Sequence, residues 1–319
     1  MNTHKKIAAV VNPSSAGGKT AKRWPEYAKL LEARLGTVVT HFTDAPRAAT
    51  AIARELLRQG YNLLIAVGGD GTVNEVANGF FEQDQLLHPD AVLGIIPTGT
   101  GGDFRRTLGI STDPEQAVKV LACGAPLEID VGKATFHRSD GAVESRYFVN
   151  LVSFGMGGQV AARSHNALTV LGGKAAFLWA TLTTFLTYRG REVQLSLNSD
   201  DPLSFLIANV AIGNGQFHGA GMRPCPTAVL NDSVLEVTVI DYAGMFELIR
   251  GMPALYSGEV YSHPKVHHLR ASKLSVHSSS KTEIEIDGEA LGTLPLEITV
   301  LPARLPILIP ATSPLLATR

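Results

Sequence analysis

Hydrophobic positions in the first part of the chain follow two alternating periods. Short runs, Lys6 to Val11, Val38 to Phe42, Leu63 to Val67 and Val92 to Ile96, read as strands, and the apolar Leu63 to Val67 as a buried one. Between them apolar residues recur at helical spacing. One helix is expected around Trp24 to Leu35, another over Ala45 to Gln59, and a third carries Val73, Val76, Ala77, Phe80 and Phe81. Strands alternating with helices of this length predict a parallel sheet wrapped by helices. From about Ile129 helical spacing fades into short β-rich runs: Ile129 to Phe136, Ser145 to Ser153, Val193 to Leu197, Phe205 to Ile212, Leu235 to Ile240, Leu274 to His277, Thr282 to Ile286 and Leu296 to Leu301. Many strands without regular helices between them predict an antiparallel sandwich or barrel. The expected organisation is an α/β domain over 1–128 and a β-rich, sandwich-like domain over 129–302. Leu305 to Ile309, framed by prolines, reads as a strand that returns 303–319 to the first domain.

The longest apolar stretch, Leu168 to Tyr188, raises the question of a membrane span. Gly172-Gly173-Lys174 and several threonines interrupt it, whereas a span needs about 20 unbroken apolar residues. A helix at the edge of a domain is the better expectation, and no transmembrane segment is predicted. With 319 residues and 45% hydrophobic content, the chain is large enough for two cores. Its net charge of -1, from 28 basic and 29 acidic residues, gives no pull toward nucleic acid. Cys123 and Cys225 are too far apart in sequence for a metal-type spacing or a disulfide scaffold. The apolar run at the N-terminus is too short for a signal peptide, so a cytoplasmic location is expected. His263, His267 and His268 have no acidic or cysteine partner at a recognisable metal spacing and read as surface or strand-end histidines.

The candidate chemistry concentrates where the Leu63 to Val67 strand ends, in Gly68-Gly69-Asp70-Gly71-Thr72-Val73-Asn74-Glu75. Glycines permit a tight turn there, and Thr72 with Glu75 fits a capping box that would start the helix. The free N–H groups and positive dipole end of such a helix form a phosphate site. A carboxylate at Asp70 would repel phosphate unless a divalent cation lies between them, and Mg2+ is commonly held that way. The alternative is a tight βα turn with Asp70 as a local cap.

A second glycine-rich loop, Pro97-Thr98-Gly99-Thr100-Gly101-Gly102-Asp103-Phe104, follows the Val92 to Ile96 strand at the same edge of the sheet. Near the N-terminus, Asn12-Pro13-Ser14-Ser15-Ala16-Gly17-Gly18-Lys19-Thr20 imitates a Walker A loop. Its first required glycine falls on Pro13, which has no N–H to offer, so that reading fails. Lys19 is either a solvated lysine at a helix start or a phosphate contact. Thr43, just past a strand end, is either a nucleotide contact or a turn hydroxyl. Arg105 and Arg106 are either a solvated helix face, the better reading, or contacts for phosphate or acidic lipid.

The first loop resembles the nucleotide loop of the diacylglycerol kinase catalytic-domain family and of NAD kinases. The later succession resembles the bacterial soluble diacylglycerol and lipid kinases: the Pro97–Phe104 loop, Leu127-Glu128-Ile129-Asp130-Val131-Gly132, Asn150-Leu151-Val152-Ser153-Phe154-Gly155-Met156-Gly157, Gly213-Asn214-Gly215, Gly219-Ala220-Gly221-Met222, Pro226 to Asp232, and Asp287-Gly288-Glu289. The resemblance implies ATP and Mg2+ as cofactors. It places Asn12, Thr43, Gly68, Gly69, Asp70, Gly71, Thr72, Asn74, Glu75, Thr98 and Thr100 at the nucleotide, and Asp70 at the catalytic metal, directly or through water. Asp103 and Asp130 are further metal-site carboxylates near the cleft, the alternatives being a helix N-cap for Asp103 and a strand-end turn for Asp130. From sequence alone Asp287-Gly288-Glu289 is an ordinary hairpin turn. The resemblance makes Glu289 the general base and Asp287 its support. It also assigns Asp232 a second, structural Mg2+ completed by the carbonyls of Val229 and Val234. Two departures stand out: Gly102 where asparagine is usual, and Ser233 where glycine is usual, which would strain the loop if φ is positive there.

The expectation is thus an ATP- and Mg2+-dependent lipid kinase acting on diacylglycerol or a related lipid during transient contact with a membrane surface. Homodimerisation is left open. The rival readings are a soluble-substrate kinase of the NAD kinase type and a non-catalytic nucleotide-binding regulator.

Overall fold

The computed structural model describes residues 6–99, 102–171 and 173–317, with side chains outside 165–178. The chain divides into two units, Met1–Val131 with Pro302–Arg319, and Gly132–Leu301.

The first unit alternates strands and helices: β1 (Ile7–Val11), α1 (Lys19–Leu35), β2 (Val38–Phe42), α2 (Ala48–Arg58), β3 (Leu63–Gly68) and α3 (Asp70–Gly79). A two-strand hairpin, β4 (Phe81–Glu82) and β5 (Gln85–Leu86), precedes β6 (Val92–Pro97), α4 (Asp103–Leu108) and α5 (Pro114–Cys123). The sheet runs β2-β1-β3-β6, all parallel. Ile307, from the returning C-terminal residues, pairs in parallel with Leu93. Every residue of β1 and β3 is buried, as strands covered on both faces require. Ile7, Ala9, Val11, Leu63, Ile65 and Val67 share a cluster with Trp24, Tyr27 and Leu31 of α1 and Val118 and Leu121 of α5. The order reverses between β1 and β3, because β1 feeds β2 on one side and β3 continues on the other. The carboxyl ends of strands at such a reversal form the ligand crevice of open α/β sheets.

One local expectation is corrected. Helix α3 begins at Asp70 with Gly69 as N-cap and no side-chain cap, so Thr72 and Glu75 form no capping box. The Glu75 carboxylate instead accepts the N–H groups of Arg47 at 3.0 Å and Ala49 at 3.1 Å. The start of α2 lacks a side-chain cap of its own. Its orphan donors are met by a carboxylate from the neighbouring helix, which outcompetes the local cap.

The second unit continues from β7 (Ala125–His137) through β8 (Val143–Phe148), β9 (Leu151–Gly155), α6 (Met156–Leu171), α7 (Gly173–Thr187), β10 (Arg191–Leu197), β11 (Leu203–Gly213) and β12 (Leu235–Asp241). Then come α8 (Met245–Ser257), β13 (Val266–Ala271), β14 (Lys273–His277), β15 (Glu283–Ile286) and β16 (Glu289–Ile309). Antiparallel pairing closes a ring, β11-β10-β14-β16-β15-β9 and back to β11. β12 and β13 extend it from β11, and β8 pairs with β7. Phe136, Phe148, Phe154, Val193, Leu195, Val210, Ile212, Val237 and Ile284 lie in one shared core. The run expected as one strand over Ser145 to Ser153 is two, interrupted at Val149 and Asn150. The Leu168 to Tyr188 stretch is likewise divided between α6 and α7. Among the described residues no helix is long and apolar enough to cross a membrane.

Candidate active site

In the first unit the two glycine loops are held backbone to backbone. The carbonyl of Gly68, the last residue of β3, accepts the N–H groups of Thr98 at 2.9 Å and Gly99 at 3.2 Å. A Cβ added to Gly99 would lie 2.6 Å from the Cα of Gly69, so only glycine allows this approach. Asp70 reaches across the same junction. Its Oδ2 accepts the N–H of Asp103 at 3.0 Å, and its Oδ1 accepts that of Phe104 at 3.2 Å. The aspartate of the first loop therefore caps the helix that leaves the second.

That contact explains how the chain accommodates Gly102. The residue is left-handed, with φ 61°, and as N-cap of α4 it has no side chain to offer. Asp70 does that work from the other loop. A Cβ on Gly102 would also stand 2.8 Å from Nε of Arg105, whose guanidinium donates to the Ile110 carbonyl at 3.1 Å. Burial, with the neighbouring Arg106, lowers the Arg105 pKa from its ordinary value, opposed by Asp70 and Asp103. Arg105 is accordingly half-buried rather than part of a solvated face, while Arg106 is exposed.

The N-terminal loop joins this network. Asn12 Nδ2 donates to Thr72 Oγ1 at 3.2 Å, and its Oδ1 accepts the Ser14 N–H at 3.1 Å. Thr98 Oγ1 accepts the Thr20 hydroxyl at 2.7 Å and lies 3.3 Å from the Ser15 hydroxyl. The Thr43 N–H donates to the Val11 carbonyl at 2.9 Å, which sets Thr43 beside the end of β1. Asn12, Thr43, Gly68, Gly69, Asp70, Gly71, Thr72 and Thr98 thus all lie at or just beyond the carboxyl ends of β1, β2, β3 and β6. Asn74, 2% exposed, is instead buried within α3 and receives Asn78 Nδ2. Thr100 lies outside the described residues. Lys19 is exposed at the start of α1. Ser15 and Thr20 were not singled out from sequence; the small-hydroxyl composition of their loop was the available signal.

The carboxylates can be tested against Mg2+. The ion is typically held by one or two carboxylates together with substrate phosphates, so it does not need a full protein cage. Asp70 and Asp103 are linked through the Asp103 main-chain N–H, which donates to the Asp70 carboxylate, and each carboxylate oxygen can accept more than one partner. This hard-oxygen pair fits the ion. Asp103 also faces Arg106 at 3.6 Å. Asp130, fully buried, accepts the Ala303 N–H at 2.7 Å, which ties it to the returning C-terminal residues. Among the described residues no group of three or more His, Cys, Asp or Glu side chains is arranged to hold a metal.

In the second unit, Asp287 and Gly288 take φ 46° and 91°, the left-handed pair of a tight hairpin turn. The buried Asp287 carboxylate accepts three main-chain N–H groups, from Val149 at 2.9 Å, Asn150 at 3.1 Å and Leu151 at 2.8 Å. This explains the interruption between β8 and β9. Asn214 donates to the Val149 carbonyl at 3.1 Å, and the Asn150 carbonyl accepts the N–H groups of Asn214 and Gly215. The Asn150 and Gly213-Asn214-Gly215 motifs therefore brace one turn. Glu289, 30% exposed, faces Arg146 at 3.5 Å. Sequence reasoning missed Arg146; the signal was a cation at a buried register position of β8, opposite Ala134. Nearby chemistry includes Glu285, which accepts Ser153 at 3.0 Å and meets His218 at 3.2 Å.

In the Asp232 loop the carboxylate has partners from the protein itself. Ser233 has φ 66°, so the serine does sit in the left-handed region. Asp232 Oδ2 is paired with the Arg270 guanidinium, and Oδ1 accepts the Val234 N–H at 3.3 Å. His267 and His268 are partly exposed on β13 and meet acidic partners across the strand pair: His267 meets Asp241 at 3.0 Å, and His268 meets Glu236.

Comparison with known proteins agrees on the family. Residues 6–134 match the model of the diacylglycerol kinase catalytic domain, and residues 150–309 match the YegS C-terminal NAD kinase beta sandwich-like domain. A protein named diacylglycerol kinase from Staphylococcus saprophyticus is 31% identical over 91% of each chain. One named "Probable lipid kinase YegS-like" from Pseudomonas putida is 32% identical over 84% of each. The crystal structure of a diacylglycerol kinase from Bacillus anthracis shares the fold, with TM-score 0.68, 20% identity and coverage of 96% of this chain and 97% of that one. Yeast NADH kinase complexed with NADH is a more distant structural neighbour, with TM-score 0.51, 11% identity and coverage of 95% and 82%.

Proposed function

Because the chain belongs to the diacylglycerol kinase family and is a kinase, we propose that it moves the γ-phosphoryl of ATP to a hydroxyl of diacylglycerol or a related lipid. The observation that carries this reading is the junction of Gly69, Gly99 and Asp70, where two backbone loops and a carboxylate meet at the sheet's ligand crevice. Helix α3 opens at that point and offers N–H groups to phosphate. Asn12, Thr72 and Thr98 line the loops as hydroxyl and amide partners.

Asp70 and Asp103 would hold Mg2+, which supplies charge neutralisation to the transferring phosphoryl group. Glu289 accepts the acceptor's hydroxyl proton as the new P–O bond forms and the bond to the ADP leaving oxygen breaks. Arg146 orients Glu289, and Asp287 fixes the turn that presents it. Glu75 contributes by holding α2 against α3 and makes no phosphate contact of its own. Approach to a membrane surface is supported by α7, where Trp179, Leu182 and Leu186 are exposed at helical spacing.

The test is transfer of labelled γ-phosphate to a lipid panel in mixed micelles with Mg2+, with NAD as a soluble acceptor alongside. Wild type is run beside Asp70→Asn and Glu289→Gln. Labelled lipid abolished by both substitutions is the expected result. Labelled NAD, or bound ATP without transfer to any acceptor, would sink the lipid assignment.

A further inference from the structure

Asp232 sits in a cluster that already holds a cation. On the paired strands β12 and β13, Glu236 stands opposite Arg270 and Thr238 opposite His268. The Arg270 guanidinium bridges two carboxylates: it pairs with Asp232 and, through Nε, with Glu236 Oε1 at 3.0 Å. Glu236, 3% exposed, gives its other oxygen to His268. Tyr261 stacks on the His268 ring at 3.9 Å between centroids, and its hydroxyl lies 3.1 Å from that of Thr238.

This arrangement conflicts with a divalent ion at Asp232. Mg2+ demands near-octahedral oxygen coordination at about 2.0–2.1 Å. Here one carboxylate oxygen is paired with the Arg270 guanidinium, which is always charged. A dication at that carboxylate would meet a fixed positive charge in contact with its own ligand. Glu236, the nearest spare carboxylate, is held by Arg270 and His268. The loop still keeps the left-handed turn at Ser233, so the backbone shape is present while the charge that would hold it comes from the protein.

We propose that Arg270 is a built-in replacement for a structural metal: its guanidinium bridges Asp232 and Glu236 and locks the 229–234 loop without any divalent ion. The inference rests on the family resemblance that puts a cation at Asp232, and not on which lipid is phosphorylated. Loss of kinase activity would therefore leave it untouched.

The test measures Mn2+ binding to nucleotide-free protein by electron paramagnetic resonance, and thermal unfolding in EDTA against Mg2+. Wild type and Asp232→Asn should bind the same number of Mn2+ ions, and Mg2+ should not shift the wild-type melting temperature by way of Asp232. Arg270→Ala should melt lower in EDTA, recover by at least about 3 °C in Mg2+, and gain an Mn2+ ion that Asp232→Asn removes. Arg270→Lys keeps the charge and should gain none, which preserves a readout if the alanine variant does not fold. A wild-type Mn2+ ion lost in Asp232→Asn would overturn the proposal. So would a folded Arg270→Ala protein that takes up no additional ion.

Discussion

At the scale of single residues, neighbours in sequence have opposite jobs. Asp287 is buried under three N–H groups, while Glu289, two positions on, is partly exposed and faces Arg146. Asp287→Asn keeps one acceptor oxygen and turns an amide toward main-chain donors, so it should destabilise the protein by about 2–3 kcal/mol in urea unfolding. Glu289→Gln should leave unfolding within about 0.5 kcal/mol of wild type, yet lower kcat by about 10²–10⁴ if it removes a general base. Cys225 offers a separate test. Its full burial pushes the thiol from 9.0 up to about 12. The folded state holds the proton more tightly, so this contribution is fully present below pH 9.0 and is lost as pH rises toward the folded value. Above about pH 9, wild type should lose stability faster than Cys225→Ala, by about 1.4 kcal/mol per pH unit at most. Equal slopes would mean that the thiol is not shielded. Tyr188, which is buried, and Tyr261, which is partly buried, are raised in the same direction, which is why the comparison is made between the two proteins.

At the scale of elements, what the sequence makes legible is what depends on local pattern. The short apolar runs give β1, β3 and β6 to within a residue, because burial on both faces leaves little room for polar positions. The β-rich run Val38–Phe42 gives β2, which lies at the partly exposed end of the sheet. β13 escapes because Val266-His267-His268-Leu269-Arg270 carries polar groups on both faces, each satisfied by a partner on β12. The start of α3 is misplaced for a related reason: its expected cap is spent on α2. The candidate site follows the same division. Both glycine loops are visible as motifs, but Asp70 capping α4 depends on contacts 33 positions apart, and Arg146 and Arg270 act through strand register. The loop junction predicts an asymmetry. Gly99→Ala drives a Cβ to 2.6 Å from Gly69 Cα, whereas Gly69→Ala leaves 3.6 Å to Gly99, an ordinary contact. Gly99→Ala should therefore cost about 1–3 kcal/mol in unfolding and Gly69→Ala about 0.5 or less. Equal effects would show that the loops are free to separate.

At the scale of the whole molecule, the first unit is assembled from both ends of the chain. Ile307 extends its sheet beside Leu93, Leu308 joins its core, and Ala303 satisfies the buried Asp130. Removing Pro302–Arg319 strips all three at once. The shortened chain should lose ATP binding in titration calorimetry, and its first 131 residues should become sensitive to limited proteolysis. Retained binding would mean that the four remaining strands suffice. The same feature has a consequence for how the protein comes into being. A polypeptide leaves the ribosome from its N-terminus, so the unit begun first is completed last. Its glycine loops are translated early, but the strand that finishes their sheet emerges only after the entire β-rich unit has been synthesised. A half-made chain would hold an open sheet edge beside Leu93 throughout that interval.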